Sequence, residues 1–152
     1  MSGADFVFNV AKGYVKRFLE FPGVDDGLVA VLLEATSLEA DSTLKDHDTL
    51  ASILAGSSNE QTTMGRKTIS PGQVSTAVDD TNDWFSADIT TDITWTAATG
   101  NAVGKLLICY DPDTAAGDDS QIVPLTAHSF DVTPDGSDVT AQFSADGFYR
   151  AQ

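Results

Sequence analysis

Short apolar runs separated by acidic turns cover most of the chain. Trp84–Ile89 and Thr91–Ala97 alternate apolar with polar or acidic residues, which is typical of strands with one solvated face. Leu28–Ala35 is a continuous apolar run, which predicts a strand buried on both faces, and Gly104–Tyr110 indicates a central strand. The pattern predicts a mainly β (α+β) fold, built as a compact antiparallel β-sandwich or barrel-like domain.

One substantial α-helix is predicted at about residues 43–55. Its apolar positions share one face and are Leu44, Leu50, Ile53 and Leu54. The spacing of Thr43 and Asp46 fits a capping box at its start, and Gly56 is placed to end it in a left-handed turn.

The segment Phe6–Phe21 has an ambiguous pattern. Its apolar residues alternate as in a strand, with Gly13 as a bulge, and this interpretation is favoured. A helix over Val10–Leu19 is the alternative, although Gly13 in its middle costs about 1 kcal/mol. Three of the eight basic residues, Lys12, Lys16 and Arg17, lie in this segment.

The C-terminal third carries further strand and turn signals. Ile122–Leu125 is predicted to be an edge strand because Pro124 has no N–H to donate. Phe130–Thr133 and Val139–Phe143 flank a Pro-Asp-Gly-Ser turn, which predicts a hairpin. Since the sequence has no internal repeat and no long linker, residues 1–152 are expected to form one domain.

The charge of the chain narrows the range of partners. Asp and Glu number 23 against 8 Lys and Arg, so the formal net charge is −15. A protein that binds nucleic acid or an anionic membrane needs a basic face, so neither is expected as a partner of this acidic chain. The sequence also has no transmembrane run and no signal-peptide pattern.

The histidines and the cysteine do not form a catalytic or zinc-binding motif in the sequence. His47 and His128 lack a second ligand at zinc spacing, and Cys109 lies within an apolar strand, where a thiol behaves as a small hydrophobe. The sequence contains no nucleophile elbow and no glycine-rich phosphate loop. No enzymatic activity, cofactor or metal site is therefore predicted.

Two acidic clusters leave calcium open as an alternative, although aspartate in turns is the default. The first cluster is Asp79, Asp80, Asn82 and Asp83, and the second is Asp111, Asp113, Asp118 and Asp119.

Several sequence elements together resemble small virion structural proteins of tailed phages that infect actinobacteria (actinobacteriophages). They are Leu38–Asp41, Leu44–Asp46, Asp79–Asp83, Trp95–Ala98, Gly104–Leu107, Cys109–Asp113 and Gly147–Arg150. The resemblance implies a capsid decoration protein on the outer capsid surface of the virion, with the major capsid protein and sister copies of itself, as a homo-oligomer, as partners. A tail or head–tail connector component is the first alternative. A carbohydrate-binding β-domain for host adsorption, using Trp84, Trp95 and Tyr110, is the second.

Attachment is expected to involve the N-terminal segment, residues 1–21. The candidate partner-binding residues are Phe6, Phe8, Lys12, Lys16 and Arg17, with Phe18 and Phe21 as further apolar groups. An acidic chain would use its basic stretch, or apolar groups around it, to approach an acidic shell. A solvated first strand is the alternative. Deleting residues 1–10 is expected to reduce capsid occupancy and leave a folded protein.

Overall fold

A five-stranded antiparallel sheet forms the centre of the computed structural model, which describes residues 4–152. The strands are β1 Phe6–Val7, β2 Gly27–Glu34, β3 Lys67–Ile69, β4 Val74–Asp79, β5 Trp84–Ile89, β6 Ile93–Trp95, β7 Val103–Asp111, β8 Val123–Val132, β9 Val139–Ala141 and β10 Tyr149–Ala151. The order in the central sheet is β1-β8-β7-β2-β3, and smaller sheets have the orders β10-β5-β4 and β6-β9. The mainly β prediction is confirmed. The α-helices are α1 Val15–Phe18, α2 Asp41–Leu44 and α3 Leu50–Ala55, and Asn9–Ala11 and Pro71–Gln73 are 3₁₀ turns.

Strands β2 and β7 are buried on both faces of this sheet. Successive side chains of a strand point to opposite faces, so β2 supplies two separate cores. Leu28, Ala30 and Leu32 join a core with residues of the two smaller sheets, whereas Val29 and Leu33 pack with residues of α2 and α3. The predictions for both apolar runs are confirmed, because every residue of β7 and every residue of β2 except the half-buried Glu34 is buried.

The predicted helix over residues 43–55 is instead two short helices, α2 and α3. The chain between them turns, and Thr49 begins a new helix by accepting a hydrogen bond from the Ser52 amide. The capping box is therefore Thr49 with Ser52, not Thr43 with Asp46. Gly56 does follow the last helical residue, but its φ of −78° is not left-handed.

The predicted N-terminal strand is also wrong over most of its length. Only Phe6–Val7 is a strand, and a 3₁₀ turn and α1 follow it. Ala11, Val15 and Leu19 are buried at a spacing of four residues, which is a helical period. Gly13, at φ +79°, turns the chain between the two helical pieces, so it is a turn and not a β-bulge.

Strand β8 is one continuous strand, whereas the sequence pattern predicts two separate strands, Ile122–Leu125 and Phe130–Thr133. It pairs with β7 on one side and, at Thr126 and Ala127, with β1 on the other, so it is not an edge strand. Pro124 is accommodated beside a register shift, outside the two residues paired with β1. The predicted hairpin is wrong, because β9 pairs with β6 rather than with the end of β8.

Candidate attachment surface

The basic segment, Lys12–Arg17, is the main cationic surface of an acidic protein. Lys12, Lys16 and Arg17 are all exposed, as is Tyr14 between them at 62% of its surface. The burial of Ala11 and Val15 explains this exposure, because the residues after them must then face solvent. The Lys16 ammonium lies 5.8 Å from the centroid of the Phe85 ring, and Arg17 forms an exposed ion pair with Glu20.

Most other cations of the described residues are engaged in ion pairs. Arg66 donates to Glu60 at 2.7 Å and to Asp119 at 2.6 Å, and these hydrogen bonds raise the pKa of its guanidinium. Arg150 pairs with Asp146 at 2.5 Å. Lys12 and Lys16 appear in no ion pair within residues 4–152, and of the other lysines only the half-buried Lys45 and Lys67 share this property. The basic residues that cluster in the N-terminal segment of the sequence are thus also exposed together on the surface.

The phenylalanines proposed for attachment are buried or half-buried, whereas the cations are exposed. Phe8 is completely buried and Phe6 is half-buried beside it, their ring centroids 5.2 Å apart. Phe18 packs against the ring of Tyr110 at 4.9 Å, and Phe21 lies against the same core. Phe8 is therefore a core residue, which corrects its assignment as a contact residue.

The buried Lys105 side chain holds the N-terminal residues Ala4 and Phe6 in place. The Lys105 side chain is 0% exposed, and its ammonium lies 3.2 Å from the Asp41 carboxylate. It also donates to the Ala4 carbonyl at 3.0 Å and faces the Phe6 ring at 5.2 Å. The Ala4 amide in turn donates to Asp41 at 2.9 Å. Residues 4–8 are thus held by polar as well as apolar contacts.

His128 lies in a second anchoring cluster, which lines a cavity of about 440 Å³ between β8 and the C-terminal strands. One ring nitrogen is 2.9 Å from the Thr126 hydroxyl, and the other is 3.3 Å from the Asp5 carboxylate. Asp5 also accepts the Ser129 amide at 2.6 Å. Thr126 is only 2% exposed, so its hydroxyl holds the imidazole rather than facing solvent. The cluster connects the residue before β1 to β8.

The His128 cluster predicts a pH dependence of stability. Burial lowers the pKa of His128, which outweighs the opposing effect of Asp5. Between the folded pKa and the unfolded value of about 6.5, the unfolded chain binds more protons, so the free energy of unfolding falls as the pH falls. Denaturation of the wild type and of His128→Gln at several pH values from about 7 to 5 checks this, since carboxylates stay largely ionised there. The variant should lose less stability on acidification, and equal losses would contradict the assignment.

The acidic clusters are organised by their own turns. The Asp79 carboxylate accepts hydrogen bonds from the Asn82 side chain and from the amides of Asn82 and Thr81, and these bonds lower its pKa. Asp113 and Asp118 accept backbone amides in the same way. Within residues 4–152, no group of three or more His, Cys, Asp and Glu side chains is arranged to hold a metal ion.

Three of the four residues that could bind a sugar or react as a nucleophile are buried, and the fourth, Trp84, is half-buried. Trp95 is buried and donates its indole N–H to Gly65, and Tyr110 is buried and donates to Asp26. The ring of Trp84 carries the Arg150 guanidinium 3.2 Å from its centroid. Cys109 is completely buried, and burial raises the pKa of its thiol.

Comparison with protein-family models, with curated proteins and with solved structures gave no match for this chain. No helix within residues 4–152 is long and apolar enough to cross a membrane.

Proposed function

We propose that this protein is a phage virion structural protein, a capsid decoration protein that binds the outside of the major capsid protein shell. The observation that carries the proposal is the exposed basic segment on a chain of net charge −15. Lys12 and Lys16 are free of ion pairs among the described residues, so a partner that offers carboxylates can reach them without first breaking one. The resemblance to actinobacteriophage virion proteins supports a capsid shell as that partner.

The physical argument concerns orientation. A strongly acidic molecule is repelled by an acidic surface except where its own cations face that surface, so the basic segment sets the docking direction. The segment lies between the buried residues Ala11 and Leu19, which hold it against the core. Because these buried residues hold the backbone of the segment, docking does not have to order it, which reduces the conformational entropy lost on binding.

Charge reversal tests the proposal. The double variant Lys12→Glu/Lys16→Glu should reduce occupancy on capsids that lack the protein by about tenfold or more, because two attractive contacts become repulsive. The control is Lys45→Glu/Lys67→Glu, which changes the net charge equally at two half-buried lysines outside the basic segment. Occupancy is measured by quantitative gel analysis of purified particles after incubation.

Imaging of those particles places the protein in the virion. Density over the whole shell is expected, and loss of that density should accompany only the Lys12/Lys16 variant. Density confined to the tail or to one vertex would instead favour the connector or tail alternative. Equal occupancy of both double variants and the wild type would overturn attachment through the basic segment.

A further inference from the structure

Strand β4 has a free edge that differs from every other strand edge in the described residues. It ends the sheet β10-β5-β4, so only β5 pairs with it. Ser75, Thr76, Ala77 and Val78 are all exposed, Val78 at 63% of its surface. An exposed edge offers a row of backbone donors and acceptors to another strand.

The other edges carry the features that prevent strand addition. Strands β3, β6, β9 and β10 have only three residues each, and β1 has only two. Strands β3 and β10 also contain a charge, at Lys67 and Arg150. Strand β4 has six residues, pairs with β5 without a bulge, and carries no charge or proline from Val74 to Val78. Proteins commonly protect edges with charges, proline, bulges or short length, and the only such feature of β4 is Asp79 at its last position.

The sequence of β4 is close to self-complementary. In an antiparallel pair centred on Thr76, Val74 faces Val78 of a second copy, Ser75 faces Ala77, and Thr76 faces Thr76. Val74, Thr76 and Val78 share one face because side chains alternate along a strand. Val74 already packs against the core, so the exposed Val78 of the second copy would extend that core.

Charge favours the same arrangement. Two copies of net charge −15 repel one another, so they can approach closely only where charges are absent. In this register Asp79 faces Gln73 rather than another carboxylate. The two Asp79 residues are then six positions apart, about 20 Å, which exceeds the Debye length of about 8 Å.

We propose that β4 pairs with β4 of a second copy of this chain, in an antiparallel register centred on Thr76, to form a dimer. Backbone hydrogen bonds of the added strand supply the attraction, and the small side chains permit the approach. The proposal does not depend on the virion role, because the dimer forms in the purified protein.

Cysteine cross-linking tests the register. Residues directly opposite in an antiparallel pair have Cα atoms about 4.5–5.5 Å apart, which suits a disulfide, so Thr76→Cys should cross-link under mild oxidation. Val78→Cys is the matched control: its two copies are about 13 Å apart in this register, so it should remain un-cross-linked although Val78 is highly exposed. The native Cys109 is buried and does not compete. Cross-linking of Val78→Cys as fast as Thr76→Cys would overturn the register.

Sedimentation velocity tests the interface itself. The wild type should show a concentration-dependent dimer between about 1 and 500 µM, and Thr76→Lys should weaken it about tenfold or more, because two lysines then face one another. Thr68→Lys, the same change at an exposed residue of the short edge strand β3, should leave dimerisation unchanged. A wild type that stays monomeric over this range, or a Thr76→Lys variant that dimerises as the wild type does, would overturn the proposal.

Discussion

Phe8→Ala should lower the free energy of unfolding by about 3–5 kcal/mol, the usual cost of removing a fully buried phenylalanine side chain. Phe8 has no exposed surface and packs with residues of β2, β7 and both α2 and α3. Its amide donates to the Leu125 carbonyl at 3.0 Å, so the residue has little freedom to move away from the cavity that the substitution leaves. Chemical denaturation followed by tryptophan fluorescence measures the change.

Tyr14→Ala is the control in the same segment. Tyr14 is 62% exposed, so its replacement should change stability by no more than about 0.5 kcal/mol. If Phe8→Ala were as mild as Tyr14→Ala, the burial of the N-terminal segment would be wrong.

The same contacts revise the expectation for deletion of residues 1–10. Residues 1–3 lie outside the described range, but the rest of the deleted stretch includes Phe8, strand β1 and the Ala4 carbonyl that binds Lys105. Removing them should unfold or strongly destabilise the protein, so lost capsid occupancy would not report on attachment. Charge reversal at Lys12 and Lys16 leaves the core intact and is the cleaner test.

Continuous apolar patterns predicted the centre of the fold correctly, because they record burial directly. The runs that became β2 and β7 are buried on both faces, as expected. The single helix over residues 43–55 was wrong because the apolar period continues through a turn in which Thr49 caps a second helix. The sequence pattern did not predict strand β4, because most of its residues are small and exposed and so show no regular alternation of apolar and polar positions.

The candidate site was predictable only in part. Charge asymmetry along the sequence identified Lys12, Lys16 and Arg17, and all three are exposed. The burial of Phe8 depends on β8 and the helices, which are distant in sequence and could not be placed beforehand. The burial of Lys105 contradicts the usual exposure of lysine, and its partner Asp41 lies in another element.

That buried ion pair leads to a second large effect. Asp41→Ala should lower the free energy of unfolding by about 3 kcal/mol, because it leaves the Lys105 ammonium buried without its counter-charge. The lower end of the usual range for a broken buried pair applies, since the Asp41 side chain is 29% exposed. The exposed Asp48→Ala is the control and should cost no more than about 0.5 kcal/mol.

A double-mutant cycle separates the buried charge from local effects on α2. Adding Lys105→Met to Asp41→Ala should recover most of the lost stability, because a side chain of similar length and no charge then fills the site against the Phe6 ring. Denaturant titration of the two single variants and the double variant gives the coupling free energy. If the two substitutions were simply additive, the cost of Asp41→Ala would not come from the unpaired ammonium, and the assignment of that cost to the Asp41–Lys105 ion pair would be incorrect.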